Sequence, residues 1–265
     1  MPRESVSFDR AASFYDATRA LPPEAADAVT DAILDALAPS GAGRLLEIGI
    51  GSGRISLPLM ARGLPVTGVD ISARMVALLR EQLTPEHHHP DLIFGDATRL
   101  PFRDDAFPAV LTVHLLHLVS SADAALAEIR RVLAGGGIYL NKQHRDNAVL
   151  APSGAWWDNA LKRRGHAPIR RLRFQAQRDL IRATGAALEL VDICETVNRN
   201  DTEEVLDKTR NRIHSWSWQI ADDVFDDCLV DYEPWFRAHY PGEIVEEITH
   251  ELEIWRWPPT HHLPA

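Results

Sequence analysis

Residues 45–54, Leu45-Leu46-Glu47-Ile48-Gly49-Ile50-Gly51-Ser52-Gly53-Arg54, leave few folds open to this chain. An apolar run ends on an acid and opens into three glycines spaced by single residues, before a helix-like stretch. Glycine at those places lets the backbone turn sharply and approach a ligand with no Cβ in the way. The pattern reads as a cofactor loop between a buried strand and a helix. A dinucleotide fingerprint, GxGxxG, is not completed in either register: Arg54 follows from Gly49 and Ser56 from Gly51. Glu47 would repel a pyrophosphate seated on the helix N-terminus, whereas it suits a cationic group such as an α-ammonium.

The flanking pattern sets the fold class. Helical periodicity covers 8–20 and 24–38, separated by Pro22-Pro23 and closed by Pro39-Ser40-Gly41. Strands are expected at 44–48, 65–69, 91–94, 109–113 and 138–141. Helices are expected at 53–62, from a Ser72 cap to Leu83, and at 121–133 with Gly135-Gly136-Gly137 as a stop. Pro58 inside the first of these helices predicts a kink or a later start. Such alternation implies an α/β fold with a parallel sheet covered on both faces. Beyond Asn141 the pattern predicts a polar, basic, Trp-containing excursion over 142–175 rather than another βα unit. It then predicts a helix over 174–183, a strand over 187–197, a long acidic helical stretch over 201–240 and a last strand over 244–257. With neither an internal repeat nor a low-complexity linker, the reading is one domain over 1–265. It divides into a helical cap (1–40), a cofactor-binding core (41–142), and substrate-side insertions with the last strands (143–257).

Charge and cysteine content narrow the function classes. The net charge is −10, from 28 Lys and Arg against 38 Asp and Glu. That balance argues against nucleic acid as partner, because such proteins carry a basic footprint. Two cysteines, Cys194 and Cys228, with no CxxC spacing, fit a reducing compartment. No apolar run approaches a membrane span, and the N-terminus shows no apolar signal core. The expectation is a cytoplasmic protein.

Two further acids extend the ligand argument. Asp70 closes the second strand near the offset at which an acid reaches ribose hydroxyls, a trait shared with NAD enzymes. Asp96 follows the third strand, and its carboxylate suits an adenine amino group. An amine, a diol and an exocyclic amine are all present in S-adenosylmethionine, which carries no phosphate.

The stretches LLEIGIGSGRISLPL (45–59), VTGVDISARMVALLR (66–80), FGDATRLPFRDDAFPAV (94–110), VHLLHLV (113–119) and EIRRVLAGGGIYL (128–140) carry a family likeness. Over about 40–142 the chain resembles the class I S-adenosylmethionine-dependent methyltransferases, in the small-molecule branch with the ubiquinone and menaquinone enzymes. The resemblance implies a Rossmann-like seven-stranded sheet of order 3-2-1-4-5-7-6, strand 7 antiparallel, with helical insertions in the C-terminal half. It implies S-adenosylmethionine as cofactor and a small-molecule methyl acceptor. Glu47, Gly49, Gly51 and Gly53 would then line the methionine part, and Asp70 would hold the ribose. Ile71 and Met75 would lie against adenine, Asp96 and Ala97 at its edge, and His114 near the sulfonium. The segment 14–19 looks like the family's opening helix, which makes Tyr15 and Arg19 candidates for the cofactor carboxylate. Pro108 stands where the family commonly has Asp.

Acceptor-side readings stay open. All seven tryptophans follow residue 150. Trp156, Trp157, Trp216 and Trp218, with His214, are either walls of a substrate pocket or ordinary packing, and packing is favoured for Trp255 and Trp257. His117 is a candidate base, with a packing histidine as the alternative, and His114 stands beside it. The tract His87-His88-His89 and the pair His261-His262 read as solvated segments, and no metal is expected. The basic run Lys162, Arg163, Arg164, Arg170, Arg171, Arg173, Arg178 and Arg182 either captures an anionic substrate or pairs with the acids of 201–253, within the chain or across a homodimer. An RNA or tRNA methyltransferase, or a non-catalytic cofactor-binding scaffold, are the alternatives to small-molecule methylation. A base is needed only if the methyl acceptor starts protonated.

Overall fold

A computed structural model describes residues 4–12, 14–15, 18, 20–87, 90–169 and 172–258. Seven strands form one sheet in the order β3-β2-β1-β4-β5-β7-β6, with β7 antiparallel. They are β1 (Leu45–Ile48), β2 (Val66–Asp70), β3 (Asp91–Phe94), β4 (Phe107–Val113), β5 (Leu133–Asp146), β6 (Ala187–Asp201) and β7 (Glu243–Arg256). Helices α1 (Pro23–Leu37), α2 (Ser56–Ala61), α3 (Ala73–Gln82), α4 (Ala122–Val132), α5 (Ala151–Arg163), α6 (Phe174–Ala183), α7 (Thr202–Arg210) and α8 (Asp222–His239) complete the described regular structure, with short 3₁₀ turns.

Contacts divide the chain into two compact units. The first holds 1–144, 172–194 and 250–265; the second holds 145–171 and 195–249. In the first, β1 pairs in parallel with β2 and β4, and β2 with β3, so the central strands are buried on both faces. One apolar layer gathers Leu46, Ile48, Val69 and Val110 with Leu126 and Ile129 of α4. The other gathers Leu45, Leu111 and Leu140 with Val29 and Ile33 of α1. The near-continuous apolar strands of the sequence are what such two-sided burial requires.

One local expectation, a later helix start at Pro58, is met, and two others are not. The helix after the glycine loop starts late, at Ser56, which puts Pro58 in its first turn where its missing N–H costs nothing. Gly135–Gly137 does not stop a helix. It lies inside β5, which starts at Leu133 directly after α4. The register between β4 and β5 shifts between Phe107 and Ala109, around Pro108, and Gly136 takes φ +77°. A Cβ on Gly137 would lie 2.7 Å from the Pro108 carbonyl oxygen. A proline without an N–H and a glycine without a Cβ therefore meet at one bulge. The acidic stretch 201–240 is two helices, α7 and α8, with the chain turning at Arg212 (φ +51°) and a 3₁₀ turn at Ser215–Gln219.

The second unit has its own core: Trp157, Leu161, Leu206, Phe225, Cys228, Tyr232 and Phe236. Trp157 stacks on Phe225 at 4.9 Å between ring centres. A full capping box, Asp201 with Glu204, starts α7.

The Ser72 cap is present: its Oγ accepts from Met75 N at 3.1 Å and donates to Asp9 Oδ1 at 2.6 Å. Ser72→Ala should cost about 1 kcal/mol, the usual worth of an N-cap. Urea unfolding would measure it, and a change near zero would mean the cap carries no stability.

Candidate functional site

The glycine turn builds the site's floor. Gly49, Gly51 and Gly53 take φ of +77°, +58° and +85°, a region that L side chains avoid. A Cβ on Gly49 would sit 2.9 Å from Leu115 Cδ1, and one on Gly53 would overlap Leu79 Cδ1. Gly49 N and Ile50 N both donate to Val69 O, at 2.7 and 3.1 Å, which ties the turn to the end of β2. Gly51 N donates to Asp70 Oδ2 at 2.8 Å, and Ser72 N to Asp70 Oδ1 at 2.8 Å.

Three carboxylates stand at the ends of neighbouring strands. Glu47 on β1 is buried and accepts a hydrogen bond from Ser56 Oγ. Burial pushes its pKa up to about 8, against the opposing pull of Ser56 and Arg54. Asp70, at the end of β2, is also raised by burial despite the backbone donors of Ser72 and Gly51. Asp96, just past β3, accepts from Thr98 N at 2.8 Å and Thr98 Oγ1 at 2.9 Å. Met75 is buried with its Cε facing Gly51, Ile71 is half-buried beside Asp70, and Ala97 packs into the core.

The sequence reading did not foresee the N-terminal strap. Ser5 Oγ donates to Asp96 Oδ2 at 3.0 Å and accepts from Ser120 N at 3.0 Å. Val6 N donates to Leu118 O, and Asp9 engages Ser72 and Arg74 N. The segment thus crosses the ends of β2, β3 and β4. Two serine hydroxyls and one acid in a polar run carry no pattern that would have announced it. Tyr15 is half-buried with its ring edge-on to Phe8, 5.6 Å between centres. Arg19 lies outside the described residues, as do Arg170, Arg171, His88, His89, His261 and His262.

At the end of β4, His114 takes φ +49° and joins a polar group between β4, β5 and β7. Its Nδ1 lies 3.0 Å from Gln143 Oε1 and its Nε2 3.1 Å from His144 Nδ1. Burial, then Lys142, holds its pKa well below the usual imidazole value. Lys142 is itself buried, with Nζ 3.0 Å from His250 Nδ1. Burial lowers Lys142 to about 7, and burial with Lys142 lowers His250 to about 4. His117 lies in the turn that follows His114, half-buried.

Trp156, Trp157, His214, Trp216 and Trp218 fall in the second unit. Trp156, Trp157 and Trp216 join Phe225 and Tyr232 in its aromatic core. Trp218 Nε1 donates to Arg212 O at 2.7 Å, and His214 caps the 3₁₀ turn there. In the basic run, Arg164 pairs with Asp227 and Asp231, and Arg178 with Glu251 and Glu253. Pairing with the chain's own acids thus accounts for those two arginines. Trp255 is buried in the first unit's core, and Trp257 packs against it. His87 closes a turn onto Thr84, with Nδ1 accepting from Thr84 N at 2.9 Å.

Against known proteins, the family described as "Methyltransferase domain" matches residues 46–141. Residues 46–141 are therefore similar to that methyltransferase domain. The match to this methyltransferase domain covers the glycine turn, Asp70, Asp96 and His114. A demethylmenaquinone methyltransferase of Beutenbergia cavernae is 39% identical over 133 residues, 49% of this chain and 53% of that protein. A phosphatidylethanolamine N-methyltransferase of Cereibacter sphaeroides is 36% identical over 113 residues, 41% of this chain and 55% of that protein. The chain thus spans about half the length of the curated relatives it matches. Among solved structures, the [4+2]-cyclase SpnF superimposes with a TM-score of 0.56 at 20% identity, covering 98% of this chain and all of that one. That likeness concerns the fold alone. No described helix is long and apolar enough to cross a membrane.

Proposed function

We propose that this chain transfers a methyl group from S-adenosylmethionine to an O, N or C atom of a small molecule. The observation that carries the reading is the row of carboxylates, Glu47, Asp70 and Asp96, at the ends of adjacent strands around a glycine turn. A row of acids suits a ligand with an ammonium, a ribose diol and an adenine amine, and it opposes a pyrophosphate. S-adenosylmethionine supplies an electrophilic methyl on a sulfonium. Glu47 holds the ammonium end, Asp70 the ribose hydroxyls and Asp96 the adenine edge. Gly49, Gly51 and Gly53 let the backbone approach, Ile71 and Met75 would lie against the base, and Ala97 would meet its edge with Asp96. His114 would lie near the sulfonium, with Tyr15 a candidate for the carboxylate. Two free thiols, Cys194 and Cys228, fit a reducing compartment, and we place the activity in the cytoplasm. The net charge of −10 disfavours an RNA acceptor.

Asp70→Asn tests the assignment. It keeps one acceptor for the Gly51 and Ser72 N–H groups but removes the charge that strengthens hydrogen bonds to the diol. A charged hydrogen bond contributes about 1.5–3 kcal/mol, so S-adenosylhomocysteine should bind about 10- to 100-fold more weakly by calorimetry. An unchanged Kd would remove Asp70 from the site.

A further inference from the structure

A chain of amide and imidazole groups has a direction only if one end is fixed, and here Glu253 fixes it. Its carboxylate accepts from Arg178 Nε at 2.6 Å, Trp255 Nε1 at 3.1 Å and Asn141 Nδ2 at 2.8 Å. Facing a guanidinium, it can only accept. Asn141 must therefore turn its Nδ2 to Glu253, leaving Oδ1 to accept from Thr112 Oγ1 at 2.9 Å and Gln143 Nε2 at 3.2 Å. A second constraint agrees. Gln177 donates its Nε2 to Leu172 O, so its Oε1 faces Gln143 Nε2 at 3.1 Å. Gln143 is held from two sides with its Oε1 toward His114 Nδ1. That nitrogen carries the proton, so in neutral His114 the lone pair is on Nε2. His144 Nδ1, 3.1 Å away, must then be an N–H, and the His144 lone pair falls on Nε2. Asn141, Gln143, Gln177 and Glu253 are all buried, so water does not scramble the order.

We propose that His144 is the site's general base: its Nε2 takes the proton from an acceptor O–H or N–H, with Gln143 and His114 positioning the ring. The acceptor's identity rests on the methyl-transfer reading; the basic atom rests on the hydrogen-bond chain alone. In the step, the acceptor's O–H or N–H bond breaks and its electron pair stays on oxygen or nitrogen. The proton bonds to His144 Nε2, and the imidazolium later passes it to water. A base serves only a nucleophile that starts protonated, so the acceptor class is a hydroxyl or ammonium compound rather than a thioether or an alkene carbon. The low pKa of His114 agrees with its neutral, relaying state. The charged and titratable groups facing this end of the chain are His114 and His117 after β4, Lys142 on β5, His250 on β7 and Arg54 after the glycine turn.

Nitrogen-15 NMR of histidine-labelled protein reads the tautomers directly. At pH 8 both His114 and His144 should be neutral with the proton on Nδ1. Gln143→Leu should drive His114 off that tautomer, which loss of packing alone would not do. A proton on His144 Nε2, or a charged His114 at that pH, would overturn the proposal. In a second arm, His144→Asn keeps an N–H toward His114 but removes the base. With catechol and tyramine as probe acceptors, kcat should fall about 10²- to 10⁴-fold and lose its pH-dependent limb, with S-adenosylhomocysteine affinity held within twofold. A kcat within threefold of wild type, with the limb intact, would overturn it. Failure of the wild-type protein to bind S-adenosylhomocysteine would instead strike the methyl-transfer reading and leave the tautomer result standing.

Discussion

Arg178→Met should lower the stability of the first unit by about 3–5 kcal/mol, the cost of leaving a buried charge without its partner. Arg178 on α6 reaches Glu253 and Glu251, each at 2.6 Å, and both carboxylates are 2% exposed or less. Methionine keeps most of the aliphatic stem, so the loss reports the charge and its hydrogen bonds rather than a cavity. Two anions would then share one buried face of β7 with only Asn141 and Trp255 to serve Glu253. At about 2–4 °C per kcal/mol for a unit of this size, the midpoint should fall by roughly 6–20 °C. Adding Glu251→Gln and Glu253→Gln to Arg178→Met should recover part of it, because the stranded charges are gone. A midpoint within about 2 °C of wild type would show that the triad does not anchor α6. By contrast, exposed pairs such as Arg199–Glu243 are of the kind that contribute under about 1 kcal/mol.

Binding of S-adenosylhomocysteine at pH 7 should release close to one proton, and its affinity should rise about tenfold per pH unit until about pH 8. The cause is Glu47. Its folded pKa is raised by burial to about 8, so at pH 7 the carboxyl is mostly protonated. The ligand's ammonium favours the ionised form, so binding expels the proton and is coupled to pH. Above about pH 8 the carboxylate is already formed and the slope should vanish. Without ligand the same group makes the folded state less stable as pH rises. Its contribution is fully present below about pH 4.5, the ordinary value, and is lost between there and about pH 8. Calorimetry in two buffers of different ionisation enthalpy counts the protons. Glu47→Gln should abolish both the release and the slope; if it keeps them, another group is the source.

Much of the first unit was legible because its signals are local. The apolar runs before Glu47 and Asp70 are strands buried on both faces, and Ser72 starts α3 as its side chain predicts. Residues 174–183 form α6 with the expected bounds. Legibility failed where a residue's meaning depends on a distant partner. Gly135–Gly137 reads as a stop until Pro108 is placed beside it. The break in the acidic stretch falls at Arg212, whose side chain is buried over the Phe225 ring, with no glycine or proline to announce it. Pro234, the strongest local breaker, lies inside α8 instead, where Val230, four residues earlier, is exposed. The positive-φ glycines after β1 and the acids at the strand ends stand where their spacing puts them. The chain from Glu253 through Asn141 and Gln143 to His144 has no such spacing, since it joins three strands and a helix that only the fold brings together.

The most direct measurement is a crystal structure of the protein soaked with S-adenosylhomocysteine, with NAD as a parallel soak. The ribose should rest on Asp70, the amino end near Glu47 and the adenine edge at Asp96, with the glycine turn alongside, and NAD should be absent from that place. Nucleoside density away from those three acids, or an NAD pyrophosphate held on the turn at Gly49–Gly53, would contradict the account.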